Sequence, residues 1–108
     1  MKTLLLLNQD SMGHGDTELG GRLLKTFLQK SIALQDLDAI AFYNSGVKLV
    51  APGSPVLGEL TLLEERGADL IPCGTCLNQF GIEPAAGSVG SMDDIVAAMA
   101  KAAKVITL

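Results

Sequence analysis

The chain has 108 residues, 48% hydrophobic and 19% charged, enough for one folded domain with its own core and too apolar for a disordered chain. Its net charge of −4, without any run of Lys or Arg, argues against a nucleic-acid or anionic-membrane partner, since either would want a basic patch. With aromatics at 4% and no Trp, small aliphatic side chains must fill the interior, which suits strands buried on both faces under Ala-rich helices.

Met1 to Leu7 is an apolar run closed by Asn8-Gln9 and predicts a central strand. The run is too short for a secretory leader, and nothing approaches the ~18 apolar residues of a membrane helix, so a cytoplasmic protein is expected. Asp10-Ser11-Met12-Gly13-His14-Gly15-Asp16 is a glycine-punctuated loop, with Asp16 as a helix N-cap. From there to about Lys30, Leu19, Leu23, Leu24, Phe27 and Leu28 recur at helical spacing and predict one apolar face.

Leu37 to Tyr43 predicts a second strand, ended by Asn44-Ser45-Gly46, while Val47 to Ala51 fits a strand or a helical turn. Pro52-Gly53-Ser54-Pro55 is a break, with Ser54 expected as the N-cap and Pro55 in the first turn of a helix to Arg66. That helix should bury Leu57, Leu60 and Leu63, with Gly67 as its C-cap. Asp69 to Pro72 is a third strand, and Ser88-Val89-Gly90 a very short one. Ser91 should cap a last helix that buries Ile95, Val96, Met99 and Ala103, and Met92 also reads as core. Val105 to Leu108 closes the chain as a strand. Strands alternating with helices imply an α/β fold with a parallel sheet.

In open parallel sheets, ligands bind beyond the carboxyl ends of the strands. Three polar loops leave those ends here, so one cleft lined by Cys73, Cys76, Asn44, Ser45, Asp10 and Ser11 is expected. Cys73 comes first off its strand, Gly74 lets backbone approach the sulfur, and Cys76 follows about one helical turn later. Such a pair favours thiolate, and it is compatible with redox chemistry, sulfur transfer, metal binding or simple burial. A four-ligand zinc site would need two more ligands, and His14 is the single histidine, so no metal is expected. His14 could serve as a base or assist the thiolate, or simply sit in solvent. Gly13 and Gly15 precede a helix as a phosphate cradle would, but a third glycine is missing and Asp16 stands where the phosphate would go. No cofactor is expected.

Four segments in order carry a resemblance: Asp10 to Gly20, Asn44 to Leu49, Gly53 to Leu57, and Cys73-Gly74-Thr75-Cys76-Leu77. Through them the chain resembles the DsrE/DsrF-like sulfur-relay family, and within it the C-terminal domain of YedF-type proteins associated with selenium metabolism. The resemblance implies a three-layer α/β/α sandwich with a parallel sheet of about five strands. It also implies that Cys73 carries a persulfide received from a donor, while Cys76 belongs to the YedF-type motif. The loops Asp10 to Gly15 (with Ser11, Gly13 and His14) and Asn44 to Gly46 (with Ser45), together with Gly74 and Thr75 beside the cysteines, are expected to shape the pocket and supply hydrogen bonds to the sulfur. Relatives assemble as dimers, trimers or hexamers, so a homo-oligomer is implied. YedF-type proteins usually carry an N-terminal SirA/TusA-like domain that this sequence does not contain, which implies such a domain as partner in trans. The competing readings are a thiol–disulfide redox protein and a small-ligand-binding or assembly module.

Overall fold

The computed structural model describes residues 1–108. Three apolar runs become strands β1 (Thr3–Leu7), β2 (Leu37–Phe42) and β3 (Asp69–Pro72), and the C-terminus adds β4 (Lys104–Thr107). All pair in parallel, in the order β3-β2-β1-β4. The sheet therefore has four strands, one fewer than the resemblance implied. The segment expected as a further short strand, Ser88-Val89-Gly90, runs beside β3 and makes a single bridge, Gly90 to Cys73. The Ser88 N–H donates to the Leu70 carbonyl and the Gly90 N–H to the Pro72 carbonyl, but the segment is too short to extend the ladder.

Alternate residues of β1 and β2 enter two separate core clusters, as the period of a strand requires. Leu5, Leu7, Ile40 and Phe42 pack with Leu24 and Leu28 of helix α1 (Thr17–Ser31) and with Leu60 and Leu63 of helix α2 (Leu57–Glu65). Leu4, Leu6, Ala39 and Ala41 pack with Cys73 and with Ile95 and Ala98 of helix α4 (Met92–Lys101). Helix α3 (Gly74–Phe80) leaves the end of β3 and buries Leu77 in the first of these clusters. Each buried Leu or Ile contributes about 1.5–3 kcal/mol, so the central strands anchor the loops that follow them.

Several helix faces differ from the sequence expectation. In α1 the buried stripe is Gly20, Leu24, Leu28 and Ser31, spaced at i, i+4, i+8 and i+11, whereas Leu19 and Leu23 are 46% exposed. Gly20 draws that stripe inward, because a Cβ there would overlap the Ser11 hydroxyl. Helix α2 starts at Leu57 rather than after Ser54; a turn from Ala51 to Ser54 is followed by a second from Ser54 to Leu57. The Ser54 hydroxyl accepts from the Val56 N–H at 3.3 Å inside that turn. Leu57 is half-buried while Leu60 and Leu63 are buried. Gly67, at φ +104, ends α2, with its N–H on the Glu64 carbonyl and the Ala68 N–H on the Leu63 carbonyl. In α4, Ile95 and Ala98 are buried, Met99 is half-buried, and Met92 and Val96 face outward; the helix ends at Lys101, so Ala103 lies beyond it and is exposed. Val47 to Val50 belongs to a 3₁₀ helix, Asn44–Val50.

Candidate functional site

The parallel order brings the carboxyl ends of β1, β2 and β3 to one edge of the sheet, where the loop after β1, the 3₁₀ helix and α3 meet. Gly46 makes the close contact possible. A Cβ at this buried glycine would overlap the Leu7 carbonyl oxygen and stand 2.8 Å from its carbon. The 3₁₀ helix thus lies directly against the end of β1. Its first residue, Asn44, has φ +51, a left-handed conformation that Asn tolerates better than most residues. In this pose the Asn44 N–H donates to the Cys76 Sγ at 3.1 Å.

Cys73 extends β3 by one residue, its N–H donating to the Phe42 carbonyl at 2.9 Å, and its extended backbone (φ −68, ψ 123) forms the N-cap of α3. Gly74 next to it donates to the Gly90 carbonyl at 2.9 Å, and a Cβ on Gly74 would press on Val89 at 3.1 Å. Cys73 is 2% exposed and packs in the cluster of Leu4, Leu6, Ala39, Ala41, Ile95 and Ala98. Cys76 is half-buried, and both cysteines are free thiols.

The two sulfurs titrate as a pair, not as independent groups. Burial works against a Cys73 thiolate, but hydrogen bonds from the backbone and side chain of Cys76 and of Thr75 outweigh it and bring the thiol below its ordinary 9.0. Burial raises the Cys76 thiol; the Asn44 N–H opposes that, while the hydrogen bond with Cys73 and its charge add to it, and the balance lies above 9.0. The pair therefore holds one negative charge first, on Cys73, with Cys76 protonated beside it.

Cys76 opens into a pocket of about 350 Å³ lined by Tyr43, Asn44, Thr75, Cys76, Gln79, Phe80 and Met92. The Lys48 ammonium rests on the Phe80 ring, 4.8 Å from its centroid. Beside it, sharing Tyr43 and Asn44, lies a more polar pocket of about 360 Å³ with Asn8, Gln9, His14 and Ser45. The single cleft expected from topology is thus two adjoining pockets. Cys76, Thr75 and Asn44 line the first; Asn44, Ser45 and His14 line the second. Cys73 and Gly46 are buried behind them, and Gly74 borders a separate groove with Asn78, Glu83 and Pro84. Asp10 and Gly13 are exposed in the first loop and line neither pocket. Ser11 is 7% exposed, turned toward Gly20 rather than the cysteines, and its hydroxyl has no hydrogen-bond partner. Tyr43, Gln79, Phe80 and Met92 complete the lining of the first pocket and were not singled out from the sequence. For Phe80 and Gln79 the signal was their spacing of four and three residues from Cys76 on one helix. No group of three His, Cys, Asp or Glu side chains is gathered to hold a metal ion.

The fold is of the α/β class, a parallel sheet with a cysteine pair at its carboxyl edge. The sequence profile of the DsrE/DsrF-like family matches residues 1–108, and the chain belongs to this family, which is associated with sulfur relay. Among solved structures, the YchN protein of E. coli is similar over 100% of both chains, with a TM-score of 0.72 at 15% identity. MTH1491 of Methanobacterium thermoautotrophicum, a protein of unknown function, is similar over 99% of this chain and 98% of its own, with a TM-score of 0.72 at 19% identity. At such identities the likeness is one of fold. No curated protein matches the sequence.

Proposed function

We propose that this protein is a sulfur carrier that holds a persulfide on Cys73, with Cys76 as the partner thiol, in sulfur or selenium metabolism of the YedF type. The observation that carries the reading is the placement of the pair: Cys73 leaves the carboxyl end of β3 as the N-cap of α3, and Cys76 follows within that helix on the wall of a pocket, its sulfur accepting the Asn44 N–H. Only a thiolate attacks a persulfide, so a cysteine whose thiol is drawn below its ordinary range favours the chemistry. Membership in a family associated with sulfur relay supports the same reading. The donor or acceptor is a persulfide-bearing protein such as a SirA/TusA-like domain in trans, and the carrier works as a cytoplasmic homo-oligomer. No helix is long and apolar enough to cross a membrane. The test is to give reduced protein one equivalent of a persulfide donor, measure intact mass, and locate the added sulfur by fragmentation. One sulfur on Cys73 is expected; no gain, or sulfur held away from the pair, removes the reading.

A second reading, a thiol–disulfide redox pair, draws on the same two free thiols, three residues apart across the start of α3. It differs in its product, an internal disulfide in place of a retained sulfur.

A further inference from the structure

We propose that Cys76 is the solvent-side thiol of the pair, taking sulfur from an incoming persulfide in the pocket of Tyr43, Phe80 and Met92 and handing it inward to Cys73. This rests on the carrier reading and assigns the order in which the two thiols act.

Access decides the order. Cys73 is 2% exposed among aliphatic side chains and lines none of the pockets at this edge, so a donor sulfur cannot reach it in the folded state as it stands. Cys76 is half-buried and forms part of the wall of the 350 Å³ pocket. Its sulfur already accepts the Asn44 N–H at 3.1 Å, from a backbone held at φ +51, so a donor for a sulfur anion is in place before any ligand arrives. The three-residue spacing puts Cys76 about one turn beyond Cys73, on the same side of the chain. The remaining wall is largely apolar and aromatic. Such a surface suits the organic stem of a persulfide, whether carried on a low-molecular-weight thiol or on a protein cysteine.

The exchange balances without an oxidant. Cys76 passes its proton to the Cys73 thiolate and attacks the outer sulfur of the donor persulfide; a new S–S bond forms on Cys76 as the donor's S–S bond breaks. The donor leaves as a thiolate and takes up the proton from Cys73. The Cys73 thiolate then attacks the outer sulfur of the Cys76 persulfide, forming the Cys73 persulfide and releasing Cys76 as thiolate. No electrons are gained or lost overall.

The test compares loading rates of wild type, Cys76→Ser and Cys73→Ser with glutathione persulfide, and in parallel with a persulfide carried on a protein thiol, by quenched intact-mass measurement. The expected result is that Cys73→Ser still gains one sulfur but retains it on Cys76, with no transfer inward. Cys76→Ser is expected to load at least about tenfold more slowly, the factor for a local opening of about 1.4 kcal/mol. Met92→Trp, which leaves both thiols intact and fills the pocket mouth, is expected to slow loading as well. Success with the small donor marks a low-molecular-weight source, and success with the protein donor alone marks a protein source. Cys76→Ser or Met92→Trp loading at the wild-type rate overturns the order proposed. Wild type that gains no sulfur from either donor overturns the carrier reading beneath it.

Discussion

Replacing Gly46 by Ala probes the contact that brings the 3₁₀ helix against the sheet. The added methyl overlaps the Leu7 carbonyl oxygen and lies 2.8 Å from the Leu7 carbon and 3.3 Å from the Gln9 nitrogen. These are backbone atoms at the end of a fully buried strand, so no side-chain rotation relieves the overlap. The same Leu7 carbonyl accepts the Tyr43 N–H at 3.2 Å, and a shift sufficient for the methyl puts that bond at risk. Overpacking of a core site costs about 1–3 kcal/mol and a hydrogen bond about 1 kcal/mol, giving roughly 2–4 kcal/mol in all. Against a total stability of about 5–15 kcal/mol this is a large loss, and it lowers Tm by roughly 10 °C or more. Urea and thermal unfolding followed by circular dichroism measure it. Gly58→Ala is the control: it sits within α2 with nothing within 4 Å of its added methyl, and a gain of up to about 1 kcal/mol is expected. Gly46→Ala within about 0.5 kcal/mol of wild type refutes the close-contact reasoning. Because Asn44 and Tyr43 stand on the displaced backbone, sulfur loading should fall in the same variant.

Asn44→Gly should keep wild-type stability within about 0.5 kcal/mol and keep its N–H on Cys76, while Asn44→Ala should lose about 1–2 kcal/mol, the usual cost of a left-handed residue; equal stabilities for the two would contradict this. Ser11→Ala should raise stability by about 1 kcal/mol, since it removes a buried hydroxyl without a partner, and a clear loss in unfolding experiments would show that the hydroxyl is paired. Thiolate absorbance of the reduced protein should rise in two steps, one below 9.0 and one above, whereas a single step near 9.0 would mean that the pair does not interact. The sign for stability follows from those directions. The lowered Cys73 thiol adds stability that is present above its unfolded value and lost as pH falls through its native value, and the raised Cys76 thiol removes stability as pH climbs past 9.0. Cys73→Ser should flatten the lower of these two limbs in a pH series of unfolding curves.

The strands were legible because their signal is local. Leu4 to Leu7 and Ala39 to Phe42 are apolar at every position, which only a strand covered on both faces needs. Asp16 and Ser91 were legible as caps for a similar reason, each accepting from a backbone N–H three residues on. Faces and site walls were less legible because they depend on which elements approach. Leu19 and Leu23 continue an apolar helical pattern yet point outward, since Gly20 and Leu24 are what meet the first loop and the sheet. Val96 and Met92 likewise look like core and are 53% and 45% exposed. The pocket beside Cys76 could not be read from its members, because Tyr43, Phe80 and Met92 come from three separate stretches and meet only in the fold. Position along the strand ranked Cys73 first, but burial lies in the third dimension and makes Cys76 the accessible sulfur.

The most direct test of the carrier account is the intact mass of wild type after brief exposure to one equivalent of a persulfide donor, taken before and after reduction. The account predicts a gain of one sulfur that a thiol reductant removes, with Cys73 and Cys76 not joined to each other. The mass of an internal disulfide, with sulfide released to solution, would contradict it and assign the pair to redox exchange.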